Sequence, residues 1–556
     1  MSVTYVTEGD SATPAYMNTL LNLVSGDVYN VKSYDATGDG STDDRDAMQD
    51  ALDAANVAGG GVVYVPPGTY MIGASNGASP ASTGGSSLQI GSNTHLRMDP
   101  AATIIRRHAG TAEENATIRN MDFSSGNTNV RISGGTIKST NSSNTGMHVA
   151  LVKCSRVHIN EMDWVGIYDH WNLYLEDCTN VAVNGILIDS GDTTTEDGLH
   201  ICGGSKISIS NSIIISGDDA IAITQESSFC ELDASDIVVD NCYLYSKSAT
   251  GFKVDVDTGQ SPTTRSINRV TLSNCVLRSA GIGLAIRDLT NGGKVNDVSL
   301  SNVILYGDDM TGDIDIYGVN RVSFDNVKIV NPYGTFLVDV CDDVTLNQVE
   351  ISGVRTAAKD AVAVGSRTGT NTNIKVTGGT YHNIPRNAFQ FGSTSAVVDV
   401  YVTGASISSC GHSGVLLVTG IGANIKDNRI KSNASYGVDV SSGFTGAMLV
   451  GNDLRGNTVG ATRDNGVSTI KRQNRFGEGA LQGSATLVSG TTTIATDEIR
   501  SNDFVHMTKI TGSGISRGIL ERGTIVAGTS FVINAVSPNG AVESNDSSSV
   551  FWEIIH

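Results

Sequence analysis

The chain has 556 residues, a formal net charge of −20 at pH 7 and a pI near 4.8. This acidity argues against a broad nucleic-acid-binding surface, and no stretch approaches the roughly 18 consecutive apolar residues of a membrane span. With 63 Gly, 9 Pro and short Val/Ile/Leu runs between Ser, Thr, Asn and Asp, the composition is typical of a β-rich protein. We therefore expect neither nucleic-acid partners nor membrane insertion.

The N-terminal part predicts an arm followed by a capping helix. Residues 1–28 lack the basic and apolar segments of a classical signal peptide, so none is expected. Residues 41–56 form the one convincing amphipathic helix pattern, with acids in its first turn. A glycine turn, a buried strand and a Pro-Pro-Gly corner follow. We expect this helix to cover the open end of the β structure, where strand edges would otherwise be exposed.

A repeat dominates the middle of the chain. The motif that ends in Asn at ISISN, IVVDN, VTLSN, VSLSN and VSFDN recurs at intervals of 24 to 33 residues: Asn211, Asn241, Asn274, Asn302 and Asn326. Looser copies lie at Asn160, Asn184, Asn347, Asn428 and Asn452. Each unit reads as three short strands with an Asn at the first bend, which predicts a parallel β-helix rising about 4.8 Å per coil. Asn tolerates the left-handed backbone of such a bend, and its amide can bond the Asn of the next coil.

Two further features concern the organisation of the chain. Cys154, Cys178 and Cys202 recur every 24 residues, and we interpret them as small buried residues stacked in successive coils rather than as metal ligands or disulfides. From about residue 476 the strands become longer and alternate strictly. We therefore predict a β-helix over residues 29–475 and a small separate β domain over residues 476–556.

Two short segments carry the candidate chemistry. Asp197-Gly198-Leu199-His200-Ile201 and Asp219-Ala220-Ile221-Ala222-Ile223 match in pattern and lie 22 residues apart, about one coil, and Asp218 precedes the second. Carboxylates stacked about 4.8 Å apart raise at least one pKa. One protonated acid beside other carboxylates is what glycosidic cleavage requires. The alternative is that these are ordinary turn sequences, since Gly307-Asp308-Asp309 recurs without a matching strand.

Alternation along the third strands predicts which side chains line the same outer face. Tyr174, His200 and Lys253 fall in one column, and Thr224, Asp255 and Arg287 fall in the next. We interpret Lys253 and Arg287 as contacts for an acidic sugar, the alternative being solvated basic side chains on a strand face.

Aromatic residues one coil earlier could extend this groove, because rings stack on sugar faces. They are Trp164, Tyr168, His170 and Trp171, around Asp163 and Asp169. Either Trp could instead pack under a loop. Further candidate contacts for the sugar are Glu226, Asp313 and Asp315. The sequence has no phosphate-binding loop, zinc-ligand spacing or nucleophile elbow, so we expect no cofactor and no required metal.

Two stretches of sequence resemble known families. Residues 34–70 resemble the opening of the pectate-lyase-like superfamily found in phage tailspikes, and the C-terminal block is similar to domains that end phage tail and spike proteins. Glu196-Asp197-Gly198 and Gly217 to Ile223 resemble polygalacturonase-type glycoside hydrolases of family 28. The chain departs from that family at Thr250, where a His is expected, at Ala285, where an Arg is expected, and at Arg287, which replaces a Lys. We therefore expect the reaction type to transfer and the pectic substrate not to.

The resemblance implies an all-β, right-handed parallel β-helix that acts as a phage tailspike depolymerase. Asp218 would be the general acid, and Asp197 and Asp219 would orient and deprotonate water, with inversion. Substrate contacts would come from His200, Lys253, Asp255, Arg287, Tyr174, Trp171 and His170.

The resemblance also implies a setting, a homotrimer on a virion that contacts phage tail or baseplate proteins and a bacterial capsular or exopolysaccharide. Residues 1–28 would serve virion attachment, and residues 476–556 would serve trimerisation or receptor and carbohydrate contact. A polysaccharide lyase or epimerase, a non-catalytic adhesin spike and a cellular family 28 hydrolase remain as alternatives.

Overall fold

The computed structural model describes residues 28–73, 87–107, 116–139, 146–166, 170–191, 194–225, 230–256, 264–290, 292–476, 482–496, 498–499, 501–510 and 518–555. The predicted arm at residues 1–28 lies outside these ranges except for Val28. The chain divides into two compact units, residues 1–299 and 300–556. No helix within the described ranges is long and apolar enough to cross a membrane.

The first unit is built from three-strand coils, and each strand pairs in parallel with its equivalent in the next coil. The first strands, with Val28–Asn30 as the edge, are Gly61–Val65, Thr94–Met98, Thr128–Ser133, Ser155–Asn160, Thr179–Asn184, Gly204–Ser210, Ala234–Asp240, Ile267–Ser273 and Val295–Ser301. The second strands are Asp39–Asp43, Gly68–Ile72, Ala102–Arg106, Thr136–Ser139, Asp163–Val165, Leu187–Asp189, Ile213–Ser216, Tyr243–Ser246 and Val276–Ser279. The third strands are Leu88–Ile90, Ile118–Asn120, Val149–Val152, Leu173–Glu176, Leu199–Cys202, Ile221–Gln225, Thr250–Val256 and Ile282–Asp288.

The predicted capping helix forms, although it begins later than the sequence pattern indicated. The α-helix spans Arg45–Val57, after a 3₁₀ turn at Val31–Tyr34, and residues 39–43 are a strand. Its buried face includes Met48, Leu52 and Ala55, and it packs against the first coils. The Asp44 carboxylate is turned away from the helix end and accepts hydrogen bonds from Thr37. Residues 39–43 instead pair in parallel with the strand Gly68–Ile72, so the helix begins only at Arg45.

The Asn repeat marks left-handed bends as predicted. Asn211, Asn241 and Asn274 all have φ of 53°, and the Asn241 amide donates to Asn211 Oδ1 at 2.8 Å. The looser copies are displaced by one residue, because the left-handed position follows Asn160, Asn184 and Asn347 and precedes Asn428 and Asn452. In the second unit Asn428, Asn452 and Asn474 instead form a buried ladder of side-chain amides.

The second unit continues the three-strand pattern and then simplifies. Its first strands are Asn320–Asp325, Asp342–Asn347, Asn371–Thr377 and Val397–Thr403, with Ile470–Arg472 in the last coil. The second strands are Ile304–Tyr306, Lys328–Val330, Glu350–Ser352, Thr380–Ile384, Ser406–Cys410 and Arg429–Lys431. The third strands are Ile314–Tyr317, Phe336–Asp339, Val362–Val364, Phe389–Phe391 and Gly460–Asp464. In the coils at Val415–Lys426 and Tyr436–Val450, the third strand runs directly into the next first strand.

The C-terminal residues form two small antiparallel sheets. One contains Gln482–Thr486, Ser549–Ile555 and Phe504–Lys509, and the other contains Thr491–Ala495, Ser530–Val536 and Ile519–Val526. Their core includes Phe531 and Trp552, whose rings meet edge to face at 5.4 Å. The change in strand pattern near residue 476 therefore marked a real change in architecture.

Candidate active site

The candidate site lies where third strands of the first unit begin. Leu199, Ile221 and Phe252 are paired in register and fully buried, so the residues two positions before them are also aligned. These are Asp197, Asp219 and Thr250. Gly198 permits this close stacking, because a Cβ at that position would lie 2.5 Å from the carbonyl oxygen of Ala220.

Asp197 is held by both of its carboxylate oxygens. Oδ1 accepts a hydrogen bond from the backbone N–H of Asp219 at 3.1 Å, and Oδ2 lies 2.6 Å from His200 Nδ1. The other ring nitrogen of His200 is 2.9 Å from Thr224 Oγ1. The imidazole therefore bridges the carboxylate and the hydroxyl, and it fixes the orientation of Asp197.

Asp219 repeats this arrangement one coil later. Oδ1 accepts from the backbone N–H of Thr250 at 2.9 Å, and Oδ2 pairs with Lys253 Nζ at 2.9 Å. The Asp219 side chain is only 5% exposed. Burial lowers the pKa of Lys253, but attraction to Asp219 and Asp197, together with the hydrogen bond to Asp219, outweighs this effect, so the pKa is raised.

Asp218 differs from its two neighbours because it keeps part of its surface exposed. Burial, followed by repulsion from Asp197 and Asp219, raises its pKa to about 7, against a smaller opposing effect from Lys253. Asp197, Asp218 and Asp219 each offer an oxygen within 4.8 Å of the others. A single water that donates two hydrogen bonds of about 2.8 Å spans a gap of this size. The same oxygens could ligate a cation, with Lys253 as a competing positive charge.

Arg287 and Asp255 form a second ion pair on the outer face of the third strands. Arg287 donates to Asp255 Oδ2 at 2.5 Å, and the side chains are 20% and 5% exposed. Lys253 and Arg287, the two cations expected to contact an acidic sugar, are thus each engaged by a buried carboxylate.

Aromatic rings form a stack beside Asp197. Trp171 lies parallel to the His200 ring at a centroid distance of 3.9 Å, and it contacts Tyr174 at 5.0 Å and His170 at 4.7 Å. Tyr174 is fully buried, and its hydroxyl donates to Glu176 at 2.9 Å. Trp171 and His170 keep part of their surface exposed.

The predicted site residues thus separate by accessibility. Asp218, Lys253, Arg287, Trp171 and His170 are partly exposed, whereas Asp197, Asp219, His200, Tyr174 and Asp255 are buried. Trp171 packs over His200 and contacts Tyr174, and Arg287 pairs with the buried Asp255. Any role of His200, Tyr174 or Asp255 in sugar recognition would therefore be indirect.

The remaining candidates from the sequence have other surroundings or lie outside the described residues. Trp164 is fully buried, which favours the packing interpretation, and Asp163 is exposed on a second strand. Asp313 and Asp315 belong to the second unit and pair with Lys359 and Arg367. Tyr168, Asp169 and Glu226 lie outside the described residues.

The sequence did not reveal that a carboxylate just before a third strand can also bind a backbone N–H of the next coil. In the second unit Asp313 Oδ1 accepts from the backbone N–H of Thr335 at 2.7 Å and Oδ2 pairs with Lys359 at 2.7 Å, as Asp219 does with Thr250 and Lys253. An acid just before a third strand is therefore also a structural link between coils. The adjacent Asp218 is what distinguishes the candidate site, because Asp308 and Asp309 of the second Gly-Asp-Asp are both exposed.

Three family models match the chain. Residues 28–277 match "Rhamnogalacturonase A/epimerase, pectate lyase-like", residues 312–476 match "Right handed beta helix region", and residues 479–555 match "K1 capsule-specific polysaccharide lyase, C-terminal domain". The fold is therefore a right-handed, pectate lyase-like β-helix, which confirms the resemblance of residues 34–70.

The curated relatives match over short segments. Alginate lyase 7 of Azotobacter vinelandii is 52% identical over 68 residues, which are 12% of this chain and 7% of that protein. Mannuronan C5-epimerase AlgE6 of the same organism is 61% identical over 46 residues, 8% of this chain and 5% of that protein. The chain thus spans under a tenth of the length of these relatives.

Solved structures match the chain at low identity. The tailspike gp49 of Pseudomonas phage LKA1 has a TM-score of 0.49 and 13% identity, and the match covers 95% of this chain and 99% of that chain. The tailspike gp61 of Pseudomonas phage phi297 has a TM-score of 0.45 and 11% identity, and the match covers 96% of this chain and 99% of that chain. The Yersinia enterocolitica family 28 exopolygalacturonase has a TM-score of 0.48 and 14% identity, and the match covers 66% of this chain and 77% of that chain.

Proposed function

We propose that the chain hydrolyses glycosidic bonds of a bacterial capsular or exopolysaccharide. The observation that carries the proposal is the Asp218 carboxyl beside Asp197 and Asp219, whose pKa of about 7 leaves about half of it protonated at pH 7. A proton donor next to two carboxylates that can hold water is the combination needed for acid–base cleavage of an acetal.

The proposed reaction uses one water per bond. Asp218 gives its proton to the glycosidic oxygen as the bond to the anomeric carbon breaks, while Asp197 and Asp219 hold a water and accept one of its protons as it attacks that carbon. The proton accepted from water returns to Asp218 through solvent. His200 acts as a positioning residue, because it contacts Asp197 rather than the open face.

We propose inversion at the anomeric carbon, although the carboxylate spacing alone favours retention. Retaining enzymes hold their two carboxyl groups about 5–5.5 Å apart and inverting ones about 6.5–9.5 Å apart, and here the nearest oxygens lie within 4.8 Å. The hydrogen bonds support inversion instead: both oxygens of Asp197 and of Asp219 already face donors. Carboxylates held in this way are better placed to orient a water than to form a covalent bond.

The proposed setting is the tail of a phage at the host surface. It is supported by the sequence resemblance of residues 34–70 to tailspikes and by the match of residues 479–555 to the C-terminal domain of a capsule-specific lyase. In this setting the protein would be a homotrimer attached to phage tail or baseplate proteins, with the C-terminal sheets in trimerisation or receptor contact.

A lyase is the second candidate. Lys253 beside Asp219 provides a cation next to a base, as β-elimination of a uronate requires, and matched relatives are named as an alginate lyase and epimerases. An adhesin would bind the glycan without shortening it.

The test is depolymerisation of purified capsular and exopolysaccharides, followed by chain length and anomeric configuration. We expect shortened chains whose first-formed anomer, seen by proton NMR, is inverted, and no shortening by Asp218→Asn. Retention of the anomeric configuration would refute inversion. Unsaturated chain ends would favour a lyase over a hydrolase. Polysaccharides that all stay intact would refute the proposal that the chain is an enzyme.

A further inference from the structure

The ion pairs of the site determine the charge of the sugar that it can accept. Lys253 and Arg287 are the partly exposed cations on the outer face of the third strands within the described residues of this site. Each contacts a carboxylate that is about 95% buried, Asp219 for Lys253 and Asp255 for Arg287. If a sugar carboxylate took either cation, the buried Asp would lose its counter-ion, which is strongly unfavourable.

The cations near the margins of the site are engaged as well. Lys247, on the segment that leads into Thr250, donates to the carbonyl of Ser190 at 2.7 Å and lies 3.7 Å from Asp189. Arg119 lies on the same outer column before Ala150 and Tyr174, but it packs over Phe123 at 4.6 Å and is only 9% exposed. Neither is positioned to neutralise a sugar carboxylate beside Asp218.

The carboxylates of the site would themselves repel an acidic sugar. Asp197, Asp218 and Asp219 each offer an oxygen within 4.8 Å of the others. A uronate next to Asp218 would add a further negative charge to this cluster, and like charges at such distances repel.

The aromatic stack offers a different kind of contact. Trp171 is partly exposed, and its ring is held by the stack on His200 and by Tyr174. Large aromatic rings bury apolar surface efficiently, and the C–H face of a sugar ring supplies such surface without any charge.

We propose that the sugar residue whose bond is cleaved is uncharged, a neutral hexose or an N-acetylated amino sugar, with Trp171 as its platform. This inference rests on the proposed function and concerns only the residue at the reaction centre, so the polysaccharide can carry acidic groups elsewhere. It replaces the acidic sugar that Lys253 and Arg287 suggested in the sequence.

The identity of the new chain end tests the inference. Polysaccharides that the protein has shortened are reduced with borodeuteride, which places deuterium on the sugar at each new reducing end. That sugar is the one whose glycosidic bond was cleaved. The fragments are then hydrolysed to single sugars, and mass spectrometry identifies the deuterated one. We expect a deuterated hexitol or a deuterated amino-sugar alditol. A deuterated uronic acid derivative overturns the inference and leaves the hydrolase in place. Intact chains with every polysaccharide, or unsaturated ends, overturn the proposed function, and the inference falls with it.

A charge variant tests the ion-pair argument separately. Asp255→Asn removes the buried partner of Arg287, so Arg287 becomes available to an added carboxylate. We expect the inhibition constant of sodium glucuronate to fall at least fivefold in Asp255→Asn while that of glucose stays within twofold. An unchanged glucuronate constant, in a variant that still unfolds at the wild-type temperature, overturns the argument that Asp255 keeps Arg287 from the substrate.

Discussion

Asp197 Oδ1 accepts a hydrogen bond from the backbone N–H of Asp219 at 3.1 Å, so one carboxylate of the site fixes the backbone that carries another. Asp219 in turn accepts from Thr250 in the next coil. Because the coils are held in register by buried residues such as Ile221, the positions of these carboxylates are set before any substrate arrives. Such preorganisation is what acid–base catalysis needs.

Asp219→Asn should slow depolymerisation by about 10²–10⁴-fold, the usual contribution of a general acid or base. Asp313→Asn is the matched control, because Asp313 makes the same two contacts, to a backbone N–H and to a Lys, outside the candidate site. We expect both variants to lose similar stability in urea unfolding and only Asp219→Asn to lose activity. An equal loss of activity in both would mean that Asp219 is purely structural.

The rate should fall as the pH rises above about 7. The general acid must carry its proton, and the pKa of Asp218 is raised to about 7 by burial and by its acidic neighbours. The measurement is the pH profile of kcat/KM, which reports the free enzyme. An alkaline limb below pH 5, where an ordinary Asp would lose its proton, would contradict Asp218 as the acid.

Lys253→Met should move that alkaline limb to higher pH. Lys253 lowers the pKa of Asp218, so removing the ammonium makes the carboxyl harder to ionise. The maximal rate should also decrease, because Asp219 loses its partner. Arg287→Met is the control: Arg287 pairs with Asp255, and its loss should leave the limb where it is. A limb that shifts downward in Lys253→Met would be inconsistent with this electrostatic arrangement.

Asp218→Asn should stabilise the fold at pH 8. The pKa of Asp218 is higher in the folded chain, about 7, than the ordinary value of 3.8. The folded state therefore binds this proton more tightly, and its stability falls as the pH rises from about 4 to about 7. A pKa difference of this size corresponds to about 4 kcal/mol. Because Asp218 is partly exposed and solvent screens its neighbours, the variant should gain about half of this, on the order of 2 kcal/mol, at pH 8, with no gain at pH 4. The check is urea unfolding of the two proteins at both pH values.

The repeat was predictable because its causes are local. Asn at a left-handed bend and alternating apolar residues leave their pattern in the sequence, and both appear at Asn211, Asn241 and Asn274. The start of the helix at Arg45 could not be predicted, because residues 39–43 form a strand that pairs with the distant segment Gly68–Ile72.

The alignment of Asp197 with Asp219 could be predicted from the length of a coil. The side chains that these two carboxylates bind could not be predicted in this way. Which face Trp171 covers depends on packing between coils, and the stack on His200 converts a predicted sugar contact into a buried support. The pairing of Arg287 with Asp255 likewise depends on side-chain conformations across two coils, which alternation along one strand does not specify.

Cleavage in heavy-oxygen water (H₂¹⁸O) tests the central claim most directly. If Asp197, Asp218 and Asp219 hydrolyse the glycan, mass spectrometry should find one heavy oxygen at the reducing end of each new fragment, and Asp218→Asn should produce no fragments. Fragments that lack the heavy oxygen and end in an unsaturated sugar would contradict hydrolysis, and polysaccharides that all keep their full length would contradict an enzyme at this site.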